Sequence, residues 1–305
     1  MLRPLRIGEI FDRAVTLCVT NFVPFAIIAL FFVVPLAIAG IFQQRDTAQT
    51  WQEMIDAARG HAIVPRTNSS TALMLQIGVF LYFFIGAPFA HMAISAAVAQ
   101  RYNGHNVQWK AALAASLSRW AAALGLMFFA SIIFVAAIFG GSLGLGVIIG
   151  VSAVIASAAK AVAIGFGVLA IVLFVVWLLF IMVLFVAVFF MFFALVVERA
   201  PLFTALGSGF MRIFNRKELL RATTMGLAFL ALEIALTAVS YTIIGVVDIW
   251  WHAFVGGALA LSVVNLLTVL FSATLFTVYY FDVRVRREAL DAEPAVPPFV
   301  PVAQP

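Results

Sequence analysis

Glu233 is the residue with the most evident chemistry, because it is the only charged side chain between Ala222 and Val247. Placing a charged side chain in hydrocarbon costs about 2.5–3.5 kcal/mol on insertion scales. We therefore expect Glu233 to face protein or water, or to be protonated. A carboxyl group in such a position could bind a substrate, a lipid head group or a proton.

A second polar stripe, formed by Asn265, Thr268 and Ser272, lies in the next apolar run. The connecting turn is predicted near residues 250–252. Glu233 precedes Asp248 by 15 residues and Asn265 follows Trp251 by 14, so both lie about 21–22 Å from the turn at 1.5 Å per residue. The count predicts that these two side chains can face each other at one depth.

His91, in an earlier apolar run, is predicted to lie about one helical turn deeper and to join this cluster through Ser95 or a water molecule. The candidate polar cluster comprises Glu233, Asn265, Thr237, Ser240, Tyr241, Thr268 and His91. It has two interpretations, a working intramembrane site or a structural hydrogen bond between protonated Glu233 and Asn265. We favour the structural one, because a single carboxyl group is little evidence for transport.

Other chemistry finds little support in the sequence. Phosphate-binding loops, zinc-protease helices, serine-hydrolase elbows and zinc-deaminase patterns are all absent. The single cysteine excludes an intramolecular disulfide, and the four histidines are scattered. We predict no enzymatic activity, no metal and no cofactor. The net charge of +5 comes from short basic clusters between apolar runs, so no nucleic-acid partner is expected.

The composition indicates which elements position these residues. The chain is 65% hydrophobic and 10% charged, whereas soluble domains carry about 25% charged residues. A span needs roughly 20 apolar residues. The predicted fold is an all-α integral membrane helical bundle, with spans at about residues 22–42, 72–99, 120–146, 165–197, 222–247 and 252–281.

The middle of the chain is ambiguous, because Lys160 is its only charge between Arg119 and Glu198 and two to four helices could be drawn there. The glycine-rich segment Gly140–Gly150 is predicted to weaken or end the first of them. Two middle spans put 14 of the 18 basic residues on one side, which fits the positive-inside rule. We therefore predict six spans in the cell membrane, with both termini cytoplasmic.

Short cytoplasmic segments with helical apolar spacing precede spans one, three and five. Their apolar residues are Ile10, Phe11, Ala14 and Leu17; Trp109, Leu113, Leu117 and Trp120; and Leu202, Leu206, Phe210 and Ile213. They predict a threefold repeat of surface helix plus hairpin, although any loop entering a membrane helix could show this pattern. A further amphipathic helix is predicted at residues 46–60, on the outer side.

Acidic residues lie beside basic ones on the predicted cytoplasmic side, where we expect ion pairs and membrane anchors rather than catalysis. These residues are Glu9, Asp12, Arg13, Glu198, Asp282, Arg284, Arg286 and Arg287. Three pairs after residue 281, including Asp282 with Arg286, are four residues apart and predict that the last helix continues past the membrane. The membrane module is then residues 1–288, followed by a proline-rich tail at 289–305.

The segments Arg3–Ala14 (RPLRIGEIFDRA) and Tyr279–Asp291 (YYFDVRVRREALD), with Val197–Leu202 between them, carry a family resemblance. The chain resembles the glycerophosphoryl diester phosphodiesterase membrane-domain family. The resemblance implies a six-span helical module, often without an attached enzyme and with no settled activity. The sequence contains no H-R-G segment or clustered carboxylates of a phosphodiesterase domain.

These observations favour a non-enzymatic accessory or scaffold module that acts through membrane lipids or an unidentified protein partner. The alternative is a small transporter or channel-like protein with Glu233 and Asn265 in its pathway. An intramembrane lipid enzyme using His91 and Glu233 ranks last, because no nucleophile or metal triad is identifiable.

The topology can be tested with reporter fusions or cysteine labelling at residues 55, 110, 160, 215 and 300. We expect these positions to report outside, inside, outside, inside and inside. An outside signal at residue 215 would contradict the prediction, because it requires an odd number of spans between Arg119 and Glu198.

Overall fold

The computed structural model of this chain describes residues 4–35, 37–38, 70–156, 159–251 and 254–288. Every regular element in these ranges is an α-helix. The helices are α1 Ile7–Thr20, α2 Phe22–Pro35, α3 Ser70–Tyr102, α4 Trp109–Leu117, α5 Trp120–Ala156, α6 Lys160–Val197, α7 Leu202–Ile213, α8 Arg216–Trp251 and α9 Phe254–Glu288. The all-α prediction is confirmed for this part of the chain.

Four helical segments among these residues are long and apolar enough to cross a membrane. They are Trp120–Ala156, Val162–Val197, Arg216–Ile243 and Leu259–Arg287. The bent pair α1 and α2, whose axes differ by 86°, passes the same test when taken together and would make five. The predicted helix at residues 46–60 and the tail at 289–305 lie outside the described residues.

The glycine-rich segment, predicted to weaken or end a helix, does not end one, because α5 continues through it to Ala156. Gly141 is in contact with the indole of Trp177, whose Nε1 would lie 2.0 Å from a Cβ placed at that glycine. The same Nε1 donates a hydrogen bond to the Ala137 carbonyl oxygen at 3.0 Å. Because Gly141 has no side chain, the Trp177 indole of α6 fits against α5. This contact offsets the low helix propensity of glycine.

The chain divides into two compact units, Met1–Trp120 with Ala231–Pro305, and Ala121–Leu230. In the first unit, α1 and α3 both pack against α9, and α4 packs against α3. In the second unit, α7 packs against α6. The short helices α1, α4 and α7 therefore each lie against one long helix of their own unit.

The turn between α6 and α7 is built from backbone contacts. Arg199 adopts a left-handed conformation with φ of 54°, and the N–H of Ala200 donates to the Ala194 carbonyl at 3.2 Å. Pro201 then precedes α7, where its lack of an N–H is harmless. Gly209 then brings α7 close to α6, since a Cβ there would lie 2.9 Å from the Ala187 carbonyl oxygen.

The short helix α4 is held to α3 by polar contacts. Ser116 Oγ donates to the Phe89 carbonyl oxygen at 3.1 Å, and Gln100 Oε1 accepts from the N–H of Gln108 at 2.8 Å. The buried face consists of Ala112, Leu113 and Ser116, whereas the predicted apolar residues Leu117 and Trp120 are exposed. Small residues allow a close approach of two helices, which explains why the buried face differs from the predicted one.

Gly209 offers a matched test, because Gly207 on the same helix has no atom within 4 Å of its ideal Cβ position. Gly209→Ala should destabilise the protein by about 1–3 kcal/mol, because backbone atoms of α6 must move. Gly207→Ala should be neutral or stabilise by up to about 1 kcal/mol through helix propensity. The free energy of unfolding in mixed detergent micelles measures both. Equal effects of the two substitutions would contradict the close contact.

Candidate functional site

His91 on α3 contacts Ser272 on α9, and this contact is the central polar link of the first unit. The distance from His91 Nε2 to Ser272 Oγ is 2.9 Å. Both side chains are buried, with 7% and 2% of their surface exposed. Ser95, the predicted intermediary, instead donates to the Met92 carbonyl of its own helix at 2.7 Å. His91 therefore reaches α9 directly.

The hydrogen-bond partners of His91 define its tautomer. Nδ1 lies 2.7 Å from the Ala87 carbonyl oxygen, which can only accept, so Nδ1 carries the proton. Nε2 is then the acceptor of the Ser272 hydroxyl. A serine beside a histidine acceptor is half of a nucleophilic arrangement, but attack also needs access for a substrate and donors for an oxyanion. The burial of both groups makes this contact a link between helices.

The predicted pair of Glu233 and Asn265 is placed differently. Glu233 is half-buried and Asn265 is exposed. The hydrogen bonds found among the described residues do not join these two side chains. Ser240 is buried and donates to the Leu236 carbonyl of α8 at 2.7 Å, whereas Thr237 and Tyr241 are exposed and Thr268 is half-buried.

The helix bounds explain this arrangement. Because α8 ends at Trp251 and α9 begins at Phe254, Glu233 lies about 27 Å from the end of its helix and Asn265 only about 16 Å from the start of α9. The sequence predicted equal depth for these two residues because the turn was expected two to three residues too early in the chain. By the same count, Ser272 is the residue of α9 that matches Glu233 in depth.

Asp282 forms a second polar centre, at the end of α9. Its Oδ1 accepts from the backbone N–H of Leu5 at 2.6 Å, and its Oδ2 accepts from Arg286 Nε at 3.0 Å. Arg286 Nη2 in turn donates to the Leu5 carbonyl oxygen. Asp282 is only 3% exposed, so this is a buried link between the start of the chain and α9 rather than the expected surface pair.

Aromatic stacking extends this centre to α3. The ring of Tyr102 stacks on Phe281 with centroids 4.7 Å apart, and the guanidinium of Arg13 lies 5.4 Å from the Tyr102 centroid. Burial raises the pKa of the Tyr102 phenol, and Arg13 offsets only part of that shift. Because the net shift is upward, the phenol is neutral at physiological pH. We call Leu5, Arg13, Tyr102, Asp282 and Arg286 the terminal junction.

Sequence reasoning missed two members of the terminal junction. The Leu5 contact uses backbone groups, which no side-chain pattern can reveal. Tyr102 follows the predicted end of a span and carries no signal beyond the usual enrichment of aromatic residues at membrane interfaces.

The other predicted charged residues have separate places. Glu198 pairs with Arg212 in the second unit, with Oε1 2.9 Å from Nη1. Glu9 accepts from the N–H of Arg6 at 2.7 Å and so caps α1. Asp12 and Arg287 are exposed and Arg284 is half-buried. Within the described ranges, no three acidic, histidine or cysteine side chains form a group that could hold a metal ion.

Comparisons of this chain with protein-family models, with curated proteins and with solved structures gave no match.

Asp282→Asn should weaken the terminal junction, because an amide has one acceptor oxygen and places an N–H donor against either Leu5 or Arg286. Loss of a hydrogen bond to a buried charged group predicts destabilisation by about 2–3 kcal/mol. Thermal unfolding in detergent measures this loss. The matched control is Asp12→Asn at an exposed acid, with an expected change within about 0.5 kcal/mol. Equal melting of the two variants would contradict a structural role for Asp282.

Proposed function

We propose that this chain is a non-enzymatic membrane module, an accessory or scaffold protein that acts through protein partners or lipids. In this proposal it crosses the cell membrane six times and has both termini in the cytoplasm. The four to five candidate spans among the described residues are compatible with six, because residues 39–69 and the side chains of much of α3 lie outside the description.

A threefold repeat of one short helix and one hairpin belongs to the proposal. Its support is that α1 packs on α9, α4 on α3 and α7 on α6. In each case the short helix of one predicted repeat packs against the second long helix of a different repeat. A membrane protein assembled from such repeats has three equivalent cytoplasmic surfaces on which partners could bind.

Membership of the glycerophosphoryl diester phosphodiesterase membrane-domain family is likewise a proposal. It rests on the sequence resemblance, and two of the segments that carry the resemblance are in contact. These two segments, Arg3–Ala14 and Tyr279–Asp291, contact each other through Leu5, Asp282 and Arg286.

One observation carries the accessory-protein proposal. Two buried polar contacts join distant segments of the first unit: His91 on α3 with Ser272 on α9, and Asp282 on α9 with the backbone of Leu5 before α1. Hydrogen bonds used in this way stabilise the bundle and specify which helices pack together. They are unavailable to a substrate without unfolding part of that packing.

The alternative, a small transporter, is favoured by the position of Glu233. This half-buried acid lies in a candidate span, near exposed Thr237 and Tyr241. A carboxyl in such a place must bind a proton, water or a partner, since an exposed charge in lipid is costly. Transport would make its ionisation essential, whereas a scaffold needs only its polarity.

Glu233→Gln and Glu233→Leu distinguish these functions in a deletion strain, with each protein also purified from native membrane. A scaffold predicts that the glutamine variant complements and retains the wild-type partners or lipids, because it preserves shape and hydrogen bonding. The leucine variant should lose at most about 1.7 kcal/mol of stability. A transporter predicts that both variants fold and both fail to complement. Copurification of a reproducible partner supports the scaffold, whereas recovery of only a small solute contradicts it.

A further inference from the structure

The short helix α7 has apolar residues on two opposite faces. One face, with Ala205, Gly209 and Ile213, is buried against α6. At 100° per residue, Phe203 and Met211 fall on the other side, where 72% and 74% of their surfaces are exposed. A helix between two candidate spans that shows apolar side chains on its outer face needs an apolar environment there as well.

Basic residues follow α7 in the chain, at the start of α8. Arg216 and Lys217 are both exposed and begin α8 directly after the turn. Two exposed apolar residues follow, Leu219 and Leu220, with 41% and 73% of their surfaces accessible. Exposed cationic and apolar residues therefore lie close together in a short stretch of chain.

We propose that this surface, the outer face of α7 with Arg216, Lys217 and Leu220, binds anionic phospholipid of the cytoplasmic leaflet. The inference rests on the proposed membrane function and names the partner of this part of the module. Phe203 and Met211 enter the boundary between head groups and acyl chains, and the two cations bind the phosphates above it. Apolar side chains beside lysine and arginine are the composition of helices that lie in an anionic interface.

Charge complementarity is what favours lipid over a second copy of the chain. The surface has two adjacent cations and no acidic side chain among its exposed residues, so two copies would bring like charges together. The acid of this region, Glu218, is buried at 6% exposure, and Glu198 pairs with Arg212. The exposed charge is therefore purely positive, and the neighbouring spans hold it next to a lipid leaflet.

In this region Glu218 is buried, and Glu198 pairs with Arg212, which is itself buried on the α6-facing side of α7. In contrast, Arg216 and Lys217 are exposed. Removal of Arg216 and Lys217 should consequently leave the fold of the unit intact. This separation makes the surface testable without unfolding the protein.

The experiment uses the full chain with Cys18→Ser and Met211→Cys, labelled with a small bimane fluorophore. The protein is reconstituted into phosphatidylcholine and phosphatidylglycerol vesicles in which one of the two lipids carries brominated acyl chains. We expect brominated phosphatidylglycerol to quench the label more than brominated phosphatidylcholine, corresponding to a local enrichment of about fivefold or more at low salt. Arg216→Gln with Lys217→Gln should bring the enrichment to about one.

Two controls make the result specific. Lys110→Gln removes an exposed cation from α4 and should leave the enrichment unchanged. A label at Val168→Cys, on the exposed surface of the apolar helix α6, should be quenched equally by both lipids. If that second label is not quenched by either lipid, the membrane function itself is contradicted.

Other outcomes overturn the lipid surface alone. With the Val168 label quenched, absence of quenching at residue 211 shows that protein covers α7, whether another copy, a partner or another segment of this chain. Equal quenching by the two lipids at residue 211 shows contact with the bilayer but no recognition of anionic head groups. An enrichment that survives in the double glutamine variant excludes Arg216 and Lys217 as its cause.

Discussion

The arrangement of the first unit depends on the hydrogen bonds that the buried carboxylate of Asp282 accepts. This carboxylate accepts from the backbone of Leu5 and from Arg286, and it lies beside the Tyr102–Phe281 stack. Three segments distant in sequence, the start of the chain, the end of α3 and the end of α9, therefore meet within a few ångströms. A buried charge is stable only when hydrogen-bond donors surround it, so the Asp282 carboxylate holds the segment before α1 against the end of α9.

The two units achieve close helix packing in different ways. In the first, buried polar side chains cross between helices, as His91 does to Ser272 and Ser116 to the Phe89 carbonyl. In the second unit, glycines allow the close approach. Gly209 leaves room for the backbone of α6, and Gly141 leaves room for the indole of Trp177. Apolar attraction between helices is weak in lipid, so small residues and interhelical hydrogen bonds decide which surfaces meet.

The short helices give these contacts a functional direction. The short helices α1, α4 and α7 each pack a face of small or apolar residues against one long helix. In addition, α7 has an apolar outer face and is followed in the chain by exposed cations. The same element can thus hold the bundle together on one side and interact with its surroundings on the other. The proposed accessory function would use the outer side of these helices for contact with partners or lipids.

The all-helical fold and the apolar spans followed from the sequence because long uncharged runs can satisfy their backbone groups only within helices when water is absent. The Asp282–Arg286 pair was also predictable, since a spacing of four residues is a local property of any helix. Contacts between distant helices were not. Moving the turn between α8 and α9 by two to three residues lengthens one helix and shortens the other, which changes the relative depth of Glu233 and Asn265 by about 10 Å. Only the tertiary structure decides that His91 contacts Ser272 and that Asp282 reaches Leu5, because such contacts depend on where helices end and how they are rotated, which no local spacing records.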